Sequence, residues 1–196
     1  MISLQKLLLY ALKYTPITQE ESIEIIQTYN FFGRDAVYKK SSEYKILPFV
    51  SKLFFNFALD YEFWCGIYNN YKIRNNKILE EIKIIFKYFY DFKIEKVFLT
   101  ENFAALLSSS NDIALFASGD IDIFAEKKEK DKIYSALKSL GYILEERFSD
   151  NILINSSFSK SNQDFYISIA WEPLSRTKLP SFVSIDDFLN WENVFY

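Results

Sequence analysis

The stretch Ser118-Gly119-Asp120-Ile121-Asp122-Ile123-Phe124-Ala125-Glu126 carries the residues of this chain best suited to chemistry. Side chains alternate along an extended strand, so Asp120, Asp122 and Glu126 fall on one face and Ile121, Ile123 and Ala125 on the other. Neighbouring carboxylates of this kind suit Mg2+ or Mn2+, hard cations that take oxygen ligands and complete their shells with water and phosphate oxygens. Gly119 has no side chain, so the backbone ahead of the pair is able to turn sharply or approach a ligand closely. The same Asp-x-Asp spacing also occurs as a merely solvated face of a sheet edge, and the motif alone does not choose between the two.

Other chemistries are removed by composition. The chain has no histidine, which excludes Ser-His and Cys-His mechanisms and every histidine-ligated metal. Cys65 is the sole cysteine; it allows no internal disulfide, fits a reducing compartment, and between Trp64 and Gly66 reads as a buried packing thiol. No Walker-type loop, Rossmann glycine fingerprint or zinc spacing is present. A net charge of −3 argues against a broadly basic nucleic-acid surface. Lys127, Lys128, Lys130 and Lys132 form a local basic run, but Glu126, Glu129 and Asp131 interleave with them as on a solvated helix face.

The elements that must position the acidic pair follow from periodicity. With 196 residues, 49% hydrophobic and 25% charged, the chain can bury a substantial core as one full domain or two small ones. Apolar spacing predicts a helix over Ile2–Tyr14, closed by Pro16. Its Leu7–Leu12 run ends at Lys13, too short for a secretory core or a membrane span, so the expectation is a cytoplasmic protein with no membrane association. Thr18 and Glu21 form a capping-box pattern opening a helix to Phe32, with Gly33 as its C-cap. Further helices are expected over Pro48–Phe57 and Tyr61–Tyr90, the second carrying a stripe of Ile78, Ile82, Ile85 and Phe89. The abundant aromatics of this region read as core filling.

The periodicity then changes. Lys96–Leu99 reads as a strand, Asn102–Leu107 as a short helix, and Ile113–Ala117 and Ile121–Ala125 as strands flanking Gly119. Lys127–Leu140 reads as an amphipathic helix ended by Gly141. Tyr142–Leu144, Asn151–Ile154 and Phe165–Trp171 are expected strands, and Ser184 an N-cap for a last short helix before Trp191. The expected class is α+β: a helical N-terminal region over 1–92, then a small mixed or antiparallel sheet with flanking helices over 93–196.

This order resembles the nucleotidyltransferase superfamily with the polymerase-β-type catalytic fold. Within it the chain is most similar to a branch of uncharacterised bacterial nucleotidyltransferases found beside biosynthetic gene clusters. The matching residues are the long helix, Val97-Phe98-Leu99, Gly119-Asp120-Ile121-Asp122-Ile123, Leu140-Gly141-Tyr142 and the late strand Tyr166-Ile167-Ser168-Ile169-Ala170-Trp171. The resemblance implies Asp120 and Asp122 as catalytic metal ligands for Mg2+ or Mn2+, with a nucleoside triphosphate as substrate held near Ser118, Gly119 and Thr100. It implies transfer of a nucleoside monophosphate to a small-molecule, peptide or protein acceptor.

The chain departs from the family pattern at the chemistry. Thr100-Glu101 stands where the family has Lys-Gly, Ser168 where it has a third Asp, and Ala170 where it has His. A serine hydroxyl is a poor Mg2+ ligand and no general base at neutral pH, which makes Glu101 the candidate replacement for the third acidic ligand. Asp164, Glu172 and Glu126 lie too far along their strands to substitute, roughly 13 Å for four residues. Two alternatives accompany an active transferase. One is a catalytically degenerate member, a pseudoenzyme serving as a binding module or partner subunit. The other is a toxin or antitoxin component acting on transfer RNA.

Overall fold

The computed structural model describes residues 2–109, 112–116, 119–145, 155–171 and 183–184. The class is α+β, with helices at the N-terminus and a mixed sheet after them. The chain forms two compact units, one of Met1–Arg74 with Ala114–Ala117, the other of Asn75–Ile113 with Ser118–Tyr196.

The first unit holds α1 (Leu4–Tyr10), α2 (Gln19–Phe32), α3 (Arg34–Glu43), α4 (Leu47–Asn56) and the start of α5 (Tyr61–Asp91). Local chemistry sets the ends. The Ser3 hydroxyl accepts from the Lys6 N–H to start α1, and the Thr18–Glu21 capping box forms at the start of α2. Gly33 follows α2 at φ 79°, a conformation that glycine adopts without the Cβ clash of other residues. The helix expected over Ile2–Tyr14 is shorter: it stops at Tyr10, well ahead of Pro16. Helix α3 was not legible, because only Val37 and Ser41 of it are buried and such a thin stripe leaves no amphipathic signal.

The core of this unit gathers Leu7, Leu8, Ile25, Val37, Val50, Phe54 and Trp64 around Tyr29. The Tyr29 ring lies 4.5 Å from Phe54 and 6.4 Å from Trp64 between centroids. Its hydroxyl donates to the Asp60 carboxylate at 2.5 Å and accepts from the Trp64 indole N–H at 2.8 Å, so the polar groups of both rings are satisfied. Cys65, expected to be buried, is half-buried, and its sulfur accepts from the Asn69 amide at 3.3 Å.

The second unit contains the rest of α5, then β1 (Val97–Leu99) and α6 (Glu101–Ser109), and it includes Ile113, the first residue of a 3-10 turn over Ile113–Leu115. It continues through β2 (Asp120–Ala125), a 3-10 turn over Lys127–Glu129, α7 (Lys130–Ser139), β3 (Ile143–Leu144), β4 (Asn155–Ser159), β5 (Tyr166–Ala170) and β6 (Val183–Ser184). The sheet order is β3-β4-β5-β2-β1-β6. Strands β2 and β5 run parallel, and the remaining pairs are antiparallel.

One face of this sheet is apolar and covered. Leu99, Ile123, Ile169 and Ser156 are directly opposite one another across four strands, and all are buried. Helix α7 lies on this face: its Ile133, Ala136 and Leu137 are wholly buried, and the Tyr134 hydroxyl meets that of Ser156 at 2.8 Å. The Trp171 indole N–H also donates to Ser156, at 2.9 Å. Burying Ile121, Ile123, Ile167 and Ile169 stabilises this register by roughly 2 kcal/mol for each side chain. A one-residue slip of β2 would expose its isoleucines and bury Asp120 and Asp122 instead, so the core is what holds the carboxylates on the other face.

Several expectations for this region need correction. Ile113–Ala117, expected as a strand, contains a 3-10 turn at Ile113–Leu115; a continuous apolar run does not distinguish strand from helix by period. Asn155–Ser159 forms a strand that was not anticipated; the alternation of buried Ser156 and Phe158 is its only trace. Ser184 lies in β6 and is not a helix cap. The strand expected over Asn151–Ile154 and the helix before Trp191 lie outside the described residues.

Candidate functional site

The other face of β2 carries Asp120, exposed, and Asp122, half-buried. Alternation puts both on one face with Cα atoms about 6.6 Å apart at the usual rise of a strand. The Asp122 carbonyl accepts the Thr100 N–H at 2.8 Å, extending the β1–β2 ladder one residue past the Leu99–Ile123 pair. That bond places the start of α6 beside Asp122. Glu101, the first residue of α6, has φ 55°, in the left-handed region that side chains with a Cβ disfavour.

The electrostatics of Asp122 follow from this placement. Burial first, then the charges of Glu101 and Asp120, push its carboxyl up to about 7 from an ordinary 3.8. All three influences act in the same direction. Holding three carboxylates this way in a folded protein costs free energy that a bound cation would offset.

The late strand supplies no carboxylate to this row. Ser168 is directly opposite Asp122 in the parallel β2–β5 ladder, and Ser157 of β4 is directly opposite Ser168. Ala170 is opposite Phe124, and Tyr166 opposite Asp120. The third-ligand position of the resembled pattern therefore does lie next to Asp122, occupied by a hydroxyl. Asp164 is exposed and precedes β5, while Glu172 and Ser118 lie outside the described residues.

Glu126 is engaged elsewhere. It pairs with Lys128 at 2.9 Å and Lys96 at 3.0 Å, and these ammonium groups hold its carboxyl below the usual range. Gly119 is exposed, and a Cβ built there would meet no atom within 4 Å. Among the described residues no close approach demands a glycine at this position. The lysine run is internally satisfied: Lys132 pairs with Glu129 at 3.0 Å, and Lys130 sits over the rings of Tyr134 and Trp171 at 5.4 and 5.8 Å.

As a donor set, Asp120 and Asp122 fit a hard divalent cation of the Mg2+ type, which is commonly held by one or two carboxylates together with substrate phosphates. Among the described residues no three Asp, Glu or Cys side chains already form a cage for a metal ion. Glu101 therefore acts on Asp122 through its charge without completing a preformed ligand set. Two features of the site escaped the reading of the sequence: the left-handed backbone at Glu101 and the hydroxyl row Asp122–Ser168–Ser157. The first had a signal, since Glu101 aligns with a glycine of the resembled pattern; the second had none, because β4 was not recognised.

Among the described residues no helix is long and apolar enough to cross a membrane. Comparison of the chain with protein-family models, curated proteins and solved structures gave no match.

Proposed function

We propose that this chain is a nucleotidyltransferase-type protein whose Asp120 and Asp122 hold Mg2+ together with a nucleoside triphosphate, with Glu101 as the adjoining third carboxylate. The observation that carries this reading is the state of Asp122: half-buried, flanked by two further carboxylates, and raised to about 7 with no opposing influence. Such uncompensated charge is characteristic of functional sites. When bound, the cation would align the triphosphate and make an attacking hydroxyl more acidic.

The chain's own residues divide the remaining work. Asp120, exposed at the start of the strand, would meet the triphosphate, and the space that a Cβ would occupy at Gly119, free among the described residues, would leave room for phosphate against the backbone. Glu101 would accept the acceptor's proton as the attacking oxygen or nitrogen bonds to the α-phosphorus and the bond to pyrophosphate breaks. The acceptor is a hydroxyl, phosphate or amine of a small molecule, peptide or protein.

A second reading is favoured by a specific observation. Ser168 stands opposite Asp122 where a carboxylate would complete the site, and among the described residues no three-ligand cage is preformed. On this reading the chain binds a metal–nucleotide complex without turnover and works as a binding or partner subunit. Pyrophosphate release from each of ATP, GTP, CTP and UTP, with Mg2+ or Mn2+ and with acceptors of each class, separates the two. Release that Asp122→Asn abolishes supports transfer; nucleotide binding with no release under any condition overturns transfer in favour of the second reading.

A further inference from the structure

Strand β2 has different neighbours on its two sides. On the β1 side the start of α6 lies beside Asp122 and brings the charge of Glu101 to it. On the β5 side the residues facing Asp120, Asp122 and Phe124 are Tyr166, Ser168 and Ala170, with no Asp, Glu, Lys or Arg among them. Tyr166 is directly opposite Asp120 in the parallel ladder, about 4.8 Å away at the usual strand spacing. Burial alternates along both strands: Ile121 and Ile167 are wholly buried, whereas Asp120 is exposed and Tyr166 is 50% exposed. Both side chains therefore rise from the same face, roughly perpendicular to the sheet. The Tyr166 ring stands as a half-open aromatic wall beside the first carboxylate.

We propose that Tyr166 is the stacking surface for the base of the nucleoside triphosphate: the phosphates and their cation lie over Asp120 and Asp122, and the base lies on the β5 side against the Tyr166 ring. The inference rests on the reading of that pair as a Mg2+–triphosphate site. Charge divides the ligand in this way. The cation, with the phosphates it carries, is drawn to Asp120, Asp122 and Glu101, while the β5 side offers a flat π system an aromatic face and no charge. Every base has such a face, so Tyr166 favours nucleotides over other polyphosphates without choosing strongly among the four bases.

The test is calorimetric titration of the full chain, with Mg2+ present, by ATP, GTP, CTP, UTP and inorganic tripolyphosphate, in wild type, Tyr166→Ala and Tyr166→Phe. Tripolyphosphate carries the phosphates without a base. For every nucleotide that wild type binds, Tyr166→Ala should show a loss of affinity of about 5- to 150-fold, the range that base–aromatic stacking spans. Tripolyphosphate affinity should be unchanged, and Tyr166→Phe, which keeps the ring, should match wild type. Nucleotide affinity unchanged in Tyr166→Ala, an equal loss for tripolyphosphate, or a loss as large in Tyr166→Phe overturns the stacking role while leaving the carboxylate site standing. Failure of wild type to bind any of the five ligands with Mg2+ overturns both. A measurement on the wild type alone guards against variants that do not fold. The Tyr166 ring resonances should move upfield with a bound nucleotide, as protons beneath a stacked ring do, and not with tripolyphosphate. Equal shifts with tripolyphosphate, or none while a nucleotide binds, would overturn the proposal.

Discussion

Asp122→Asn should stabilise the metal-free protein above neutral pH, and the size of the effect follows from the site. A carboxyl raised from 3.8 to about 7 binds its proton more tightly in the folded than in the unfolded chain. Between those values the native state carries more protons than the unfolded state, so stability falls as pH rises. Stability from this group is fully present below pH 3.8, declines toward pH 7 and is lost above it. At 1.36 kcal/mol per pKa unit the full shift corresponds to roughly 4 kcal/mol, and screening at a half-buried site reduces the expectation to about 2 kcal/mol. Asparagine has the shape of the neutral acid and does not titrate. With chelator present, Asp122→Asn should match wild type near pH 4, exceed it by about 2 kcal/mol at pH 8, and melt some 4–8 °C higher there. Urea unfolding of both proteins from pH 4 to 8, compared as a difference, isolates this residue from the other titrating groups. Mg2+ with a triphosphate should reverse the order at pH 8 by stabilising wild type alone. A pH-independent difference, or a variant less stable than wild type at pH 8 without metal, would refute the electrostatic reasoning.

Further expectations concern the neighbours of Asp122 and the core of the first unit. Glu101→Gly relieves the left-handed backbone at φ 55° and removes one of the charges acting on Asp122, so it should stabilise the metal-free protein by about 1 kcal/mol in denaturant titration while weakening metal-dependent nucleotide binding. Ser168→Asp places a carboxylate directly opposite Asp122; Mn2+ calorimetry should show tighter binding, and melts without metal should show lower stability. Tyr29→Phe removes the hydroxyl joining Asp60 to Trp64 and should cost roughly 1–3 kcal/mol in urea unfolding monitored by tryptophan fluorescence, with no change in metal affinity.

The parts of the fold legible in the sequence were those with strong local chemistry. The Thr18–Glu21 box and Gly33 bounded α2, and the stripe of Ile78, Ile82, Ile85 and Phe89 marked α5. Alternating isoleucines gave β2 and β5 with the face of each side chain correct. What failed lacked such signals. Helix α3 buries too little to show a stripe, the Ile113 turn reads like a strand because its apolar run is continuous, and β4 hides in serines whose burial depends on partners distant in sequence. At the site, Asp120 and Asp122 were visible from spacing, and Glu101 from its place after the first strand. That Glu101 acts on Asp122 depends on the Thr100 hydrogen bond, a tertiary fact no local pattern encodes.

The claim that Asp120, Asp122 and Glu101 form a cation-dependent triphosphate site is tested most directly by calorimetric titration of the wild-type chain and of Asp120→Asn/Asp122→Asn with each nucleoside triphosphate, with and without Mg2+. The prediction is saturable binding of at least one triphosphate by wild type only when Mg2+ is present, and its loss in the double variant. Absence of binding with Mg2+ or Mn2+, or binding unchanged by the double substitution, would contradict it.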